Sequence, residues 1–210
     1  GAGYMYAHSD VSAQTRNTEI DSSTMFIYGQ YKPSAWYANA IVNYTMSDYS
    51  ENGSALGVPV SADYDVDIFG GRIATGYDFI GGLTPEVAMQ YMHINASDYT
   101  NSLGVWNHFG NADYLTASIG TKYEFGWVLN NGIVMRPQMH YALKYDLISD
   151  DHNVTVTMPG VNAYVLNGER LSRIANEVGV ALAMNYAGFE MSLNYDIESR
   201  ADYTSQTGRV

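Results

Sequence analysis

Residues 189–199, near the end of the chain, alternate strictly between apolar and polar side chains. One face would carry Phe189, Met191, Leu193, Tyr195 and Ile197, and the other would carry Glu190, Ser192, Asn194, Asp196 and Glu198. Because successive side chains of a β-strand point to opposite faces, this pattern predicts a strand between an apolar and a polar environment. Runs with the same period recur along the chain and helical spacing is almost absent, so the sequence predicts an all-β fold.

About ten strands are predicted from these runs, most of them longer than the roughly 5–6 residues typical of globular sheets. They cover residues 2–9, 23–31, 36–49, 64–79, 83–95, 114–125, 133–147, 174–186 and 189–199, and a partial strand from residue 204. Short connections at residues 32–35, 80–82, 126–132 and 187–188 alternate with long polar ones at residues 10–22, 50–63, 96–113 and 148–173. Short turns on one side and long loops on the other are typical of outer-membrane barrels.

The composition indicates much contact between apolar and aqueous surroundings. Charged residues make up only 15% of the chain, and 19 Tyr stand beside 6 Phe and 3 Trp. Tyr suits places where its ring lies in an apolar layer and its hydroxyl reaches water. The formal net charge of −12 argues against a nucleic-acid partner, which usually requires a basic patch. The lack of cysteine excludes disulfides and cysteine-based metal sites.

Alternation alone does not decide which face meets lipid. A soluble barrel packs its apolar face into a core, whereas a membrane barrel turns it outward and lines a wet lumen with its polar face. Strand length, the segregation of loop lengths and aromatic residues near the short turns favour the membrane. Those aromatic residues are Tyr31, Tyr77, Phe79, Tyr123, Phe125, Trp127 and Tyr186. The predicted fold class is a transmembrane antiparallel up-and-down β-barrel.

Several motifs, taken in order, resemble a known family. Residues 62–79, "ADYDVDIFGGRIATGYDF", begin with an aspartate- and tyrosine-rich entry and end in Gly-Tyr-Asp-Phe. Residues 81–100, "GGLTPEVAMQYMHINASDYT", contain Leu-Thr-Pro at the start of the next strand. Pro137 lies in "IVMRPQMHYALKYDL", and Tyr-Thr-Ser at residues 203–205 lies in "NYDIESRADYTSQTGRV". Over nearly the whole chain, this order resembles the C-terminal translocator barrel of bacterial autotransporters (type V secretion).

The resemblance implies one domain over residues 1–210, with about ten of the twelve strands of the family barrel visible. It implies that the first two strands and the end of the last strand, with its terminal aromatic residue, are missing. Such a barrel inserts in the bacterial outer membrane and supports secretion and surface anchoring of an N-terminal passenger, part of which crosses the lumen. The expected partners are outer-membrane lipid, the barrel-assembly machinery, periplasmic chaperones and the chain's own passenger. No enzymatic activity, cofactor, metal or nucleic acid is expected.

The polar faces of the strands supply the candidate functional residues. On the barrel interpretation they line the lumen, where they are candidates for contact with the passenger. They are Arg72, Glu86, Gln90, Lys122, Glu124, Arg136, Gln138, His140, Lys144, Glu190, Asn194, Asp196 and Glu198. Both signs of charge occur, so the sequence predicts a hydrated lumen with internal ion pairs.

The sequence leaves two alternative functions open and argues against a calcium site. Asp63, Asp65 and Asp67 resemble a calcium loop, but Ile68 occupies the glycine position and Ala74 the bidentate glutamate position. An omptin-like outer-membrane protease remains an alternative, because a carboxylate–histidine pair can activate water. Its candidate residues are Asp150, Asp151 and His152 in one long loop and His108 with Asp113 in another. A small porin or adhesion barrel without a passenger is a further alternative.

Two local features carry their own predictions. The loop at residues 148–173 alternates at Val154, Val156 and Met158, which indicates a hairpin above the membrane. Pro137 lies inside a predicted strand and has no N–H to donate, so a local break in strand pairing is expected there.

Overall fold

The computed structural model describes residues 1–13, 15–55, 57–129, 132–150, 153–158, 160, 162–168, 171–186 and 189–209. The strands are β1 (Ala2–Ala13), β2 (Arg16–Tyr31), β3 (Trp36–Ala55), β4 (Val58–Tyr77), β5 (Leu83–Ala96), β6 (Tyr99–Thr100), β7 (Trp106–Phe109), β8 (Ala112–Glu124), β9 (Trp127–Val128), β10 (Val134–Ser149), β11 (Asn153–Thr157), β12 (Tyr164–Asn167), β13 (Ile174–Tyr186), β14 (Phe189–Ser199) and β15 (Thr204–Arg209). Within these described ranges, no helix has the length and apolar character needed to cross a membrane.

The long strands form one antiparallel sheet. Its order is β1-β2-β3-β4-β5-β8-β10-β13-β14-β15, and β9 pairs with β10 beside this path. Each long strand therefore pairs with the long strands that precede and follow it in the chain. The prediction of an all-β fold with antiparallel up-and-down order is confirmed.

Residues from β3 through β15 line one shared cavity, so the sheet is curved and this face is its concave face. The opposite, convex face exposes large apolar side chains on each long strand from β1 to β14. Ile27 is 70% exposed, Ile119 61% and Val178 53%. The few fully covered side chains, such as Ala74 and Ala175, lie on the concave face. A contiguous exposed apolar surface of this kind marks contact with an apolar partner rather than with water.

The connection between β5 and β8 and the connection between β10 and β13 together form a second, smaller sheet with the order β12-β11-β7-β6. β11 pairs with β12 as a hairpin, and it also pairs with β7 from the other connection. The hairpin predicted within residues 148–173 is therefore present. Val156 on β11 is 5% exposed, so one face of this small sheet packs against the rest of the protein.

The predicted loops at residues 10–22 and 50–63 are wrong. β1 continues to Ala13 and β2 begins at Arg16, while β3 continues to Ala55 and β4 begins at Val58. Both faces of these strand ends carry mostly polar side chains, so the apolar alternation that predicts a strand fades while the backbone ladder continues. The first two hairpins consequently extend beyond the apolar part of the sheet.

The short connection between β4 and β5 depends on two glycines. Gly81 and Gly82 have φ angles of 99° and 89°, in the left-handed region that other residues rarely adopt. The Glu124 amide donates a hydrogen bond to the Gly82 carbonyl at 2.9 Å. A Cβ atom at Gly82 would collide with the Glu124 carbonyl oxygen. This connection is therefore a tight turn that also packs against the end of β8.

The predicted break at Pro137 occurs on one side of its strand only. β10 pairs with β13 without interruption through Pro137 and Leu182. On the other side, the ladder with β9 ends at Met135 and the ladder with β8 begins at Gln138. Proline thus lies where its missing N–H is needed by neither neighbour.

Candidate functional site

The concave face surrounds a cavity of about 860 Å³. Of the thirteen residues predicted for a lumen, ten line it: Arg72, Glu86, Gln90, Lys122, Gln138, His140, Lys144, Asn194, Asp196 and Glu198. Glu124 and Arg136 share the parity of these residues on β8 and β10, but the cavity does not reach them. The backbone of Glu190 is part of β14, whereas its side chain lies outside the described part of the structure.

The first polar cluster of the cavity wall is centred on Glu86. Arg72 Nη2 donates to Glu86 Oε1 at 2.8 Å, and Lys122 Nζ donates to Oε2 at 2.9 Å. The Tyr37 hydroxyl donates to Oε2 at 2.5 Å. Lys122 Nζ also lies 5.0 Å from the centroid of the Tyr37 ring. These side chains come from β3, β4, β5 and β8, so one carboxylate ties together four neighbouring strands, and we call them the Glu86 cluster.

The second polar cluster lies on β10, β13 and β14 and in the turn after β14. Lys144 Nζ donates to Glu177 Oε2 at 2.5 Å and to Glu198 Oε2 at 2.8 Å. Arg200 Nε donates to Glu198 Oε1 at 3.0 Å, and Arg200 Nη1 pairs with Asp146. We call these five residues the Lys144–Arg200 cluster. Each of its cations is held between two carboxylates.

His140 lies beside this second cluster. Its Nε2 atom is 3.3 Å from Asp196 Oδ1 and 3.5 Å from Glu177 Oε1. The register aligns His140, Gly179 and Asp196 across β10, β13 and β14. A Cβ atom at Gly179 would collide with both the imidazole ring and the Asp196 carboxylate. Glycine at this position is what allows the two side chains to meet over the middle strand. Arg209 on β15 pairs with Asp196 from the other side.

Sequence reasoning missed five members of these networks: Tyr37, Asp146, Glu177, Arg200 and Arg209. Glu177 could have been found from the two-residue alternation of β13. It is the charged residue of the concave row that continues with Gly179, Ala181 and Ala183. Asp146 could also have been found, because it shares the parity of Lys144 and the register of β10 shifts only after it. No alternation marks Arg200, since it lies in a turn.

The long-loop end of the concave face is partly covered by aromatic rings. Tyr64 stacks on Tyr49 at 5.0 Å and on Tyr99 at 4.8 Å between ring centroids. Phe109 adds to the stack at 5.6 Å from Tyr64. Burial raises the pKa of the Tyr99 hydroxyl. This stack fastens the small sheet to β3 and β4.

The residues considered for proteolysis come together only in part: the Asp113 amide donates to Asp150 Oδ2 at 3.0 Å. His108 Nδ1 lies 2.7 Å from Asp98 Oδ1, and Asp113 instead bonds Tyr91 and His93. Asp151 and His152 lie outside the described residues. In the part of the chain that the structure describes, no group of three or more His, Asp or Glu side chains is placed to hold a metal ion.

Comparison with known proteins agrees with this architecture. The sequence model of the Autotransporter beta-domain family matches residues 1–196. The chain is similar to the translocator domain of autotransporter NalP from Neisseria meningitidis, with a TM-score of 0.77 and 16% identity, covering 99% of this chain and 70% of that one. It is also similar to the beta domain of the Bordetella autotransporter BrkA, with a TM-score of 0.60 and 15% identity, covering 99% of this chain and 77% of that one. The chain therefore belongs to the Autotransporter beta-domain family, whose barrels lie in the bacterial outer membrane.

Proposed function

We propose that this chain is the translocator domain of an autotransporter, which supports secretion and surface anchoring of an N-terminal passenger. The cavity carries the argument: one face of the sheet lines a charged cavity, while the other face exposes a band of large apolar side chains. In this proposal the convex face meets lipid and the concave face lines the lumen, through which a segment of the passenger passes.

The thirteen predicted lumen residues are proposed as the lining that this segment contacts. Charged side chains suit that role because a hydrated, ion-paired wall holds a polypeptide without burying its backbone in an apolar surface. The proposed partners are outer-membrane lipid, the barrel-assembly machinery, periplasmic chaperones and the passenger. We propose that residues 1–210 act as one domain and that no catalytic step is part of its role.

The experiment places an epitope N-terminal to Gly1 in the full-length protein and follows it in intact bacteria. Added protease should remove the epitope from whole cells, because the passenger segment reaches the surface. Barrel folding is measured in parallel by the heat-dependent shift of the band in a denaturing gel. A barrel that is folded in the outer membrane while the epitope stays protected in intact cells, yet is cleaved after the outer membrane is opened, would refute the proposal.

A further inference from the structure

The Glu86 cluster contains two cations and one carboxylate. Glu86 accepts hydrogen bonds at both oxygens, from Arg72 on one and from Tyr37 and Lys122 on the other. Its side chain is only 15% exposed, against 38% for Arg72 and 33% for Lys122. The carboxylate is therefore enclosed by its donors, while the donors themselves remain open to the cavity.

The two cations have binding capacity left over. A guanidinium has five N–H donors and an ammonium has three, and Glu86 receives one bond from each of these groups. The Tyr37 ring and hydroxyl hold the Lys122 ammonium and the Glu86 carboxylate in place. Gln90, which pairs with Arg72 across β4 and β5, and Asn39 on β3 add amide groups to the same stretch of wall.

The adjoining stretch of wall, on β10, β13 and β14, has the opposite balance. In the Lys144–Arg200 cluster two cations are matched by three carboxylates, those of Asp146, Glu177 and Glu198. The adjoining Asp196 adds a fourth carboxylate, and Arg209 pairs with it. An acidic group inside the lumen is thus attracted by one stretch of wall and repelled by the other, since interactions are stronger where water is partly excluded.

We propose that Arg72 and Lys122 form a binding site for a carboxylate side chain of the polypeptide segment that crosses the lumen. This inference rests on the proposed translocator function. Arginine can take a carboxylate through two parallel N–H bonds, and Lys122 supplies a second charge beside it. Glu86 ties both cations to the wall, and its carboxylate competes with a bound carboxylate for their donors.

The test uses the absence of cysteine from the sequence. In purified, folded full-length protein, with any cysteine outside residues 1–210 replaced by serine, Asn39→Cys places a single thiol on the wall beside Arg72. The probes are two alanine-rich peptides that differ only in carrying Glu or Gln next to one terminal cysteine, which is activated as a mixed disulfide with 2-thiopyridine. The thiolate of the Asn39→Cys variant attacks the peptide sulfur and releases pyridine-2-thione, so cross-linking needs no added oxidant. The rate of disulfide cross-linking is measured at equal peptide concentration. The Glu peptide should cross-link about tenfold faster, as expected for one charge-assisted contact.

Three variants in the Asn39→Cys background decide the assignment. Arg72→Gln with Lys122→Gln should abolish the preference for the Glu peptide, and the matched control Lys144→Gln should keep it. Glu86→Gln should increase the preference, because it removes the competing carboxylate and leaves both cations. If the double variant does not fold, the Glu86→Gln result and the partial loss expected for Arg72→Lys still decide the case.

Equal rates for the two peptides, or a preference that survives Arg72→Gln with Lys122→Gln, would overturn the site. Both results are obtained with purified protein and do not depend on secretion. A protected epitope in intact cells would refute the translocator role by itself. Surface display together with equal peptide rates would leave the translocator role in place and remove only the carboxylate site.

Discussion

The two faces of the same sheet differ in the charged side chains that they carry. On the convex face, the described positions between the short turns and the level of Tyr91 carry no charged side chain. The concave face carries seven of the ten Lys and Arg residues of the chain: Arg16, Arg72, Lys122, Arg136, Lys144, Arg200 and Arg209. The difference follows from the surroundings, because a charge in lipid has no solvent to stabilise it, whereas a charge in a lumen has water and partners.

Even the tyrosine hydroxyls of the convex face follow this division. Tyr6 and Tyr91 donate to the carboxylates of Asp21 and Asp113, both at 2.5 Å. Tyr141 donates to the neutral amide of Asn176 at 2.8 Å, and Tyr195 pairs with Gln206 at 2.6 Å. The carboxylate partners thus belong to the early hairpins and the amide partners to the late ones.

The register explains why the acceptor changes. Tyr6 on β1 aligns with Met46 on β3, and Tyr44 lies two residues nearer the short-turn end of β3 than Met46 does. In the same way, Tyr44 aligns with His93 on β5, and Tyr91 lies two residues nearer the short-turn end of β5 than His93 does. With about 3.4 Å per residue and about 4.8 Å between strands, these three rings are level if the strands tilt by about 35°. By the same rule, Tyr145 on β10 is level with them and Tyr141 lies four residues deeper. Carboxylates therefore stand at the edge of the apolar band, and amides lie within it.

The largest expected effect comes from placing the same charge on either face of β14. Leu193→Arg puts a cation into the apolar band, which should cost roughly 2–4 kcal/mol and prevent stable assembly in the outer membrane. Asn194→Arg places it in the cavity and should be tolerated. The measurement is the amount of folded barrel in the outer-membrane fraction. Equal losses for both variants would contradict the assignment of the faces.

The second prediction compares the two clusters of the concave face. Glu86→Gln leaves Arg72 and Lys122 without a carboxylate and should cost about 2 kcal/mol, since partly buried charges lose their compensation. Glu198→Gln should cost less than about 1 kcal/mol, because Lys144 keeps Glu177 and Arg200 keeps Asp146. Urea unfolding of the refolded variants gives both values. A larger loss for Glu198→Gln would show that the clusters are not balanced as described.

The third prediction concerns the neutral pair within the apolar band. Tyr141→Phe leaves the Asn176 amide without its hydroxyl partner in lipid and should cost about 1–2 kcal/mol. Tyr145→Phe is the matched control at the level of the headgroups, where water can replace the hydroxyl, and its effect should be close to zero. Both are measured as shifts in the unfolding midpoint in lipid bilayers. Identical midpoints for the two variants would remove the distinction between the band and its edge.

The smallest effect is expected for a charge pair that belongs to neither face. Lys32 donates to Asp78 at the short-turn end, which lowers the pKa of that carboxyl from 3.8. Because the folded pKa is depressed, the stabilisation is complete above the unfolded pKa and is lost as the pH falls through the folded one. Asp78→Asn should therefore lower the melting temperature slightly at neutral pH, and the difference from wild type should disappear in acid below the folded pKa. A difference that persists there would assign the effect to packing instead.

The two-residue alternation of apolar and polar side chains predicted much of the fold, but only part of the set of residues that line the cavity. The faces of β14 and β10 were predictable because lipid on one side and water on the other impose opposite chemistry on neighbouring residues. The polar ends of β1 to β4 were not, since both of their faces lie outside the apolar band. The partners of Glu86 depend on which strands are neighbours and in which register, and one chain's alternation contains neither.

The path of the sheet, in which each long strand pairs with the next long strand of the chain, has a consequence for how the protein folds. Every ladder can form by adding one strand to an existing edge, so contacts stay local and no strand has to be threaded between two others. The long connections differ from the short turns because closing them costs more chain entropy. Closing residues 97–111 between β5 and β8 costs about 1 kcal/mol more chain entropy than closing residues 78–82 between β4 and β5. Assembly should therefore pause where β8 and β13 join, and the small sheet built from those two connections, which pairs β7 with β11, offsets part of that entropy once both have joined.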